Sequence, residues 1–269
     1  MERLIGPLRL GRGAILLVAG TLAGGLWVDV RSELPGQVAI GAACWAVLLA
    51  LLARLAPGER LPFFFCLAIA TAGELFLSLV WGLYTYRLGN VPLFVPPGHA
   101  MLLLLGLQLA RAMPLTAANA VLVAALAYAA VAVLYGFDTL AAALGLLLAL
   151  LLLAAPRHRR LFAATFLLSL ALELYGTWLG NWAWDAQVPG MALVTTNPPG
   201  LAGALYSALD ALVALAVMRL APEPKRLGIG EHVFQNPGAN ALLLAVPERR
   251  VHQIRVVLEE NLSRARIGH

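Results

Sequence analysis

Glu74, Glu173 and Asp210 each stand inside a long apolar stretch that holds no Lys or Arg except at its cytoplasmic end. A charged carboxylate at the centre of a bilayer is costly, so such groups face the interior of a bundle and either pair or protonate. With three acids and no intramembrane cation, at least one is expected to carry a proton at neutral pH. That state suits two kinds of chemistry: general acid catalysis in a dry site, and proton coupling to movement of a solute.

The acids recur in a pattern. Glu74-Leu75-Phe76-Leu77-Ser78 is followed by Tyr84-Thr85-Tyr86-Arg87, then Pro96-Pro97-Gly98 and an apolar stretch holding Gln108. Glu173-Leu174-Tyr175-Gly176-Thr177 is followed by Trp182-Ala183-Trp184-Asp185, then Pro198-Pro199-Gly200 and a stretch holding Asp210. Glu matches Glu, a hydroxyl comes four residues later, an aromatic-x-aromatic-charge tetrad follows, and Pro-Pro-Gly opens the next run. At 1.5 Å per helical residue, Glu74 and Glu173 lie about 13 Å below the outer end of their spans, and Gln108 and Asp210 about 15 Å. The spacing therefore predicts one polar layer near the midplane, with Glu74, Glu173 and Asp210 as the candidate catalytic groups. Ser78 and Thr177 share a helical face with their acids, and Trp81, Tyr84, Tyr86, Trp178, Asn181, Trp182, Trp184 and Asn197 form an outer rim of candidate substrate contacts. His99 has no second His at a metal-ligand spacing and reads as a polar group at the mouth of the site rather than a catalytic base. No metal and no cofactor is expected.

The elements that must position these groups are helices in a membrane. Of 269 residues, 61% are hydrophobic and 12% charged, with a mean hydropathy of +0.83. Too few charges remain to cover a water-exposed surface. Apolar stretches run roughly 13–30, 37–55, 61–83, 97–113, 115–135, 138–155, 160–181 and 199–220, each near the length of a span. Arg3, Arg9, Arg12, Arg54, Arg60, Arg111, Arg157, Arg159, Arg160, Arg219, Lys225 and Arg226 fall in alternate connections, whereas the other set holds Arg31 and Arg87. Short cytoplasmic loops collect such charges, which predicts both termini in the cytoplasm. The expected fold is an all-α polytopic bundle of about eight spans, built from two four-helix repeats of like topology at about 13–113 and 115–220. Residues 1–221 form the membrane domain. Residues 222–269 form a cytoplasmic tail, in which Val251, Ile254, Leu258, Leu262 and Ala265 recur at helical spacing.

Several function classes lose their footing. The formal charge of +5 is scattered between apolar runs, so nucleic acid is not an expected partner. Cys44 and Cys66 lie within apolar runs and read as small buried side chains, not as a disulfide. Neither a phosphate-binding glycine loop, nor a zinc-protease pair, nor a nucleophile elbow is present. The basic N-terminal stretch before the first apolar run reads as an uncleaved first span because seven more follow.

The residues Glu74, Gly82-Leu83-Tyr84-Thr85-Tyr86, Val91-Pro92-Leu93 and Pro96, then Trp182-Ala183-Trp184, Val188-Pro189 and Asn197, carry a resemblance to a known family. They are similar to the bacterial carotenoid biosynthesis membrane proteins that include carotenoid hydratases, over roughly 73–100 and 173–203. At the Pro, this chain continues with Gly98-His99 where that family has an aromatic. The resemblance implies residence in the bacterial inner membrane, a polyisoprenoid lipid substrate entering from the bilayer, and acid-catalysed addition of water, or isomerisation, at a carbon–carbon double bond. Two other classes stay open on the residues themselves: a proton-coupled transporter of a small molecule or lipid, and a membrane scaffold or assembly factor.

Overall fold

The structure is a computed structural model and describes residues 10–220. The tail 222–269, with its expected amphipathic helix, and the N-terminal arginines Arg3 and Arg9 lie outside the described residues.

Eight α-helices account for most of the chain: α1 Arg12–Asp29, α2 Leu34–Leu52, α3 Pro57–Glu74, α4 Val95–Ala112, α5 Leu115–Tyr135, α6 Leu140–Ala154, α7 Arg159–Leu179 and α8 Gly203–Leu220. Their boundaries follow local chemistry. Proline opens α2, α3 and α4 within the first turn, where its missing N–H costs nothing. The Glu59 side chain accepts from the Ala56 N–H at 3.0 Å and caps the start of α3. Arg60 donates to the carbonyls of Ala53 and Leu55, satisfying the end of α2. Helices α5 and α7 stop at Gly136 and Gly180, both left-handed, a conformation glycine adopts without steric cost.

Six of these segments are long and apolar enough to cross a bilayer: α1, α2, α3 with its continuation to Val80, α5, α7 with the preceding turn, and α8. The chain is thus a multi-pass helical membrane protein. The two remaining helices differ for separate reasons. Helix α6 is apolar but has only 15 residues, and α4 carries His99, Gln108 and Arg111 along an otherwise buried helix.

Four helices form an inner ring: α3 packs on α4, α4 on α7, α7 on α8, and α8 back on α3. The pair α1–α2 leans on α4, and the pair α5–α6 leans on α7 and α8. Apolar area drives little helix association when lipid is the alternative, so close packing and interhelical bonds must hold the ring. Gly203 illustrates the packing. A Cβ there would meet the Phe166 ring and the Phe166 carbonyl, so α8 reaches α7 only because the side chain is absent.

At one end of the ring the chain leaves the helices and forms a two-stranded antiparallel ladder, β1 Tyr84–Tyr86 and β2 Trp182–Trp184. The register pairs Tyr84 with Trp184, Thr85 with Ala183 and Tyr86 with Trp182. Bonds from Asp185 N to Leu83 O and from Arg87 N to Asn181 O extend it. Strand alternation turns all four large aromatics inward and Thr85 and Ala183 outward. Neither strand was expected from hydropathy, since three residues carry too short a period to register.

A second irregularity precedes β1. Leu75–Val80 is a π-helical segment, with Trp81 N bonded to Phe76 O at 2.8 Å, five residues back. A π turn accommodates one more residue than an α turn. Tyr84 follows Glu74 by ten residues, whereas Trp182 follows Glu173 by nine, through continuous α-helix and the Gly180 turn. The wide turn absorbs that extra residue and returns the aromatics to the same position relative to their acid.

Candidate functional site

The inward face of the ladder, the inner ring and parts of α1 and α2 line a partly open cavity of about 270 Å³. Its walls are apolar, supplied by residues such as Leu22, Ile40, Ile69, Leu102, Leu172 and Leu209 from α1, α2, α3, α4, α7 and α8. Polar groups gather at the ladder end, where both Glu74 and Glu173 line the space.

Each carboxylate is held by the aromatic pair of its own block. Tyr84 and Tyr86 both donate to Glu74 Oε2, at 2.7 Å each. Trp182 and Trp184 both donate through their indole nitrogens to Glu173 Oε2, at 2.8 and 3.0 Å. The second oxygens are held by groups from α4 and α8. His99 Nε2 lies 2.8 Å from Glu74 Oε1, and Tyr206 donates to Glu173 Oε1 at 2.8 Å. The His99 and Tyr206 rings stack, with centroids 5.1 Å apart and planes inclined by 28°, so the two clusters meet face to face across the cavity. Both acids are buried, at 8% and 4% exposure.

Local structure explains the convergence. The i, i+2 spacing of a strand puts two aromatic side chains on one face, and the strand lies directly over the helix end that carries the acid. Gly176 makes room: a Cβ at that position would collide with the Trp182 ring. Burial and the neighbouring Glu74 carboxylate push the Tyr84 and Tyr86 hydroxyls well above the usual phenol range, so both remain donors. An indole N–H has no lone pair, so Glu173 Oε2 accepts from both tryptophans.

His99 has its other nitrogen to spare. Nδ1 is buried and has no hydrogen-bond partner among the described residues, while the ring lines the cavity. With Nε2 facing a carboxylate, the proton belongs on Nε2 and the lone pair on Nδ1, unless a second proton loads the ring.

The remaining sequence candidates disperse. Asp210 is 3% exposed but lies away from the cavity lining, beside Thr165 of α7, with Oδ2 lacking a hydrogen-bond partner. Thr165 precedes Glu173 by eight residues, so Asp210 is about 12 Å deeper along α7 than the Glu173 layer. Gln108 is further still from the ladder and accepts from the backbone of Leu10, at the start of α1. The single layer of three acids and an amide resolves into two levels because α8 begins only at Gly203, three residues beyond the Pro-Pro-Gly glycine, whereas α4 begins before its own prolines. Ser78 is buried within the π segment, and Thr177 donates to the Glu173 backbone carbonyl, not to its carboxylate. Trp81 donates to Pro189 O, Asn197 accepts from Trp184 N, and Trp178 is 78% exposed on the outside of the bundle.

Asn181 belongs to a separate polar staple at the ladder end. It donates to Asp29 Oδ2 at 2.8 Å and to Leu26 O, while Gln37 donates to Asp29 Oδ1 at 3.0 Å. Arg87 lies 3.6 Å from Asp29 Oδ1 and donates to two carbonyls of the α1–α2 turn. Asp138 plays the corresponding part near α6, accepting from Tyr128, Thr196 and Gly200 N. Tyr206, Asp29 and Asp138 are the functional or positioning residues that sequence reading passed over. The acids carried a signal, as carboxylates at the ends of apolar runs. Tyr206 carried none, because alignment on Pro-Pro-Gly pairs it with Leu104.

No protein-family model, curated protein or solved structure matches this chain.

Proposed function

We propose that this protein is an intramembrane enzyme that transfers a proton at a carbon–carbon double bond of a polyisoprenoid-type lipid, leading to addition of water or to isomerisation. The observation that carries the reading is that two carboxylates, each gripped by aromatic donors, face one apolar cavity within a membrane-spanning bundle. A soluble metabolite has no use for such walls. An alkene does.

The parts divide the work. When loaded with a second proton, the hydrogen-bonded His99–Glu74 pair gives one to the terminal alkene carbon. The π electrons form the new C–H bond and leave a tertiary cation. Glu173, fixed by Trp182, Trp184 and Tyr206, provides a preorganised countercharge, and the ring faces stabilise the cation further. Water then adds to the cation and returns a proton to His99, or an adjacent C–H bond releases its proton to restore an isomerised alkene. Asp210 lies outside the cavity and is assigned no step.

The same reading includes the architecture expected from sequence: eight spans in two like halves, both termini in the cytoplasm of a bacterial inner membrane. It is supported by the eight helices, by the placement of Arg12, Arg54, Arg60, Arg111, Arg157 and Arg219 at helix ends away from the ladder, and by a ladder whose central pair is Thr85 with Ala183, the matching residues of the two blocks. Two copies related by a two-fold axis would pair in that register.

Co-expression in a bacterium that accumulates an acyclic carotenoid tests the reaction. The expected products carry one added water or an unchanged mass with a shifted absorption band, and both are lost in Glu74→Gln and Glu173→Gln. An unaltered pigment profile with the intact protein overturns the reading. The buried Asp210 carboxylate, whose Oδ2 has no hydrogen-bond partner among the described residues, favours transport as a second reading; proton-coupled uptake into vesicles, abolished by Asp210→Asn and indifferent to His99→Phe, would place it first.

A further inference from the structure

The charge balance of the cavity points to a class of ligand. Among the described residues two carboxylates line it and no Lys or Arg does. Of the six groups that bond those carboxylates, five are neutral hydroxyl or indole donors and one is an imidazole. These donors satisfy the oxygens without cancelling the negative field. Against that field stand the aromatic rings of Tyr84, Tyr86, Trp182, Trp184 and Tyr206, all of which line the same space.

A neutral lipid matches the walls alone, and an anion would be repelled. An organic cation with an alkyl chain answers the field as well as the walls. Charge in an apolar site is tolerated when it is paired, and ring faces attract an ammonium once water is removed. We infer that the cavity binds lipophilic organic cations such as protonated amines, with the ammonium between Glu74 and Glu173 and its alkyl chain along the wall of Ile69, Leu102 and Leu209. The inference shares the cavity with the proposed reaction but needs no turnover. It also gives that reaction an inhibitor, because an ammonium stands where the cation would form.

The test uses the full chain in phosphatidylcholine nanodiscs, whose lipid carries no net charge to attract the cation by itself. N,N-dimethyldodecylamine, dodecyltrimethylammonium and 1-dodecanol are titrated, and the rise in thermal midpoint is read as affinity. The tertiary amine is expected to bind about tenfold or more tighter than the alcohol, as an electrostatic interaction in a dry site requires. Glu173→Gln should remove about tenfold of that affinity, and the quaternary ion, which carries the same charge, should bind within about tenfold of the tertiary amine. Should Glu173→Gln fail to fold, Leu209→Trp, which fills the wall and keeps every charge, decides in its place by abolishing amine binding. Equal affinity for amine and alcohol, or amine binding unchanged in either the charge variant or the wall variant, overturns the inference. Amine binding without any lipid product removes the proposed reaction and leaves the inference standing; lipid product without amine binding does the reverse.

Discussion

Glu74 and Glu173 receive the same treatment on one oxygen and different treatment on the other. On Oε2, each accepts from two aromatic donors two residues apart on a short strand. On Oε1, Glu74 meets an imidazole and Glu173 a phenol. The shared feature is a device for holding a carboxylate still in a dry bundle. The difference assigns work. An imidazole accepts and donates within the physiological range, whereas indole and phenol groups remain donors. In the proposed reaction, one half of the site would handle the proton and the other half would hold the charge.

Substitutions on either side would break or sharpen that division. Glu173→Gln should have the largest effect, because the amide turns a donor toward donors and removes the fixed charge: product formation in the carotenoid-accumulating host is expected to fall by about 10³-fold, near the upper range for an electrostatic stabiliser. His99→Phe keeps the stacked ring over Tyr206 and deletes the proton carrier. Activity should fall by about 10²-fold while the thermal midpoint of the purified protein changes little. A loss of stability equal to the loss of activity would instead mark His99 as structural.

The holding device is open to the same treatment. Gly176→Ala forces the Trp182 ring off Glu173 and is expected to cost about 1–3 kcal/mol in a thermal or denaturant scan. Tyr84→Phe removes one of two donors from Glu74 Oε2 at a cost of about 1 kcal/mol. The smallest effect is expected where a membrane helix would ordinarily be most sensitive. Deleting Leu79 shortens the Glu74 to Tyr84 interval to the nine residues of the second block and converts the π turn to an α turn. Folding and activity should survive with a loss under about 1 kcal/mol, whereas deleting Leu168 turns the segment after it by about 100° and should abolish both. Equal damage from the two deletions would show that the π segment does not serve as the spacer.

Much of this was legible without coordinates. The eight apolar stretches lie close to the eight helices, because twenty apolar residues in a row admit few structures in a bilayer. Glu74 and Glu173 were conspicuous as acids within those stretches, and the aromatic pairs Tyr84, Tyr86 and Trp182, Trp184 were conspicuous as a repeated motif. Their contact with the acids was not. A reading by helical depth placed the tetrads at an outer rim, while the chain folds them back as strands over the acids. Gln108 and Asp210 shared a spacing from Pro-Pro-Gly, yet α8 starts six residues later than α4 relative to that motif, at Gly203 against Gly200 and at Val95 against Gly98.

Composition, the carboxylates among apolar residues and the repeated tetrads are one-dimensional facts, and each has a direct physical consequence in a bilayer. They determined that the chain is a helical membrane protein and marked three acids, Glu74, Glu173 and Asp210, as candidates for its chemistry. Which groups touch those acids was decided by tertiary structure. Helix starts, one π turn and a three-residue ladder shift side chains by a residue or two, and a hydrogen bond tolerates a few tenths of an ångström. His99 and Tyr206 reach the acids only because α4 and α8 begin where they do, and a sequence motif says nothing about where across the ring a neighbouring helix will end.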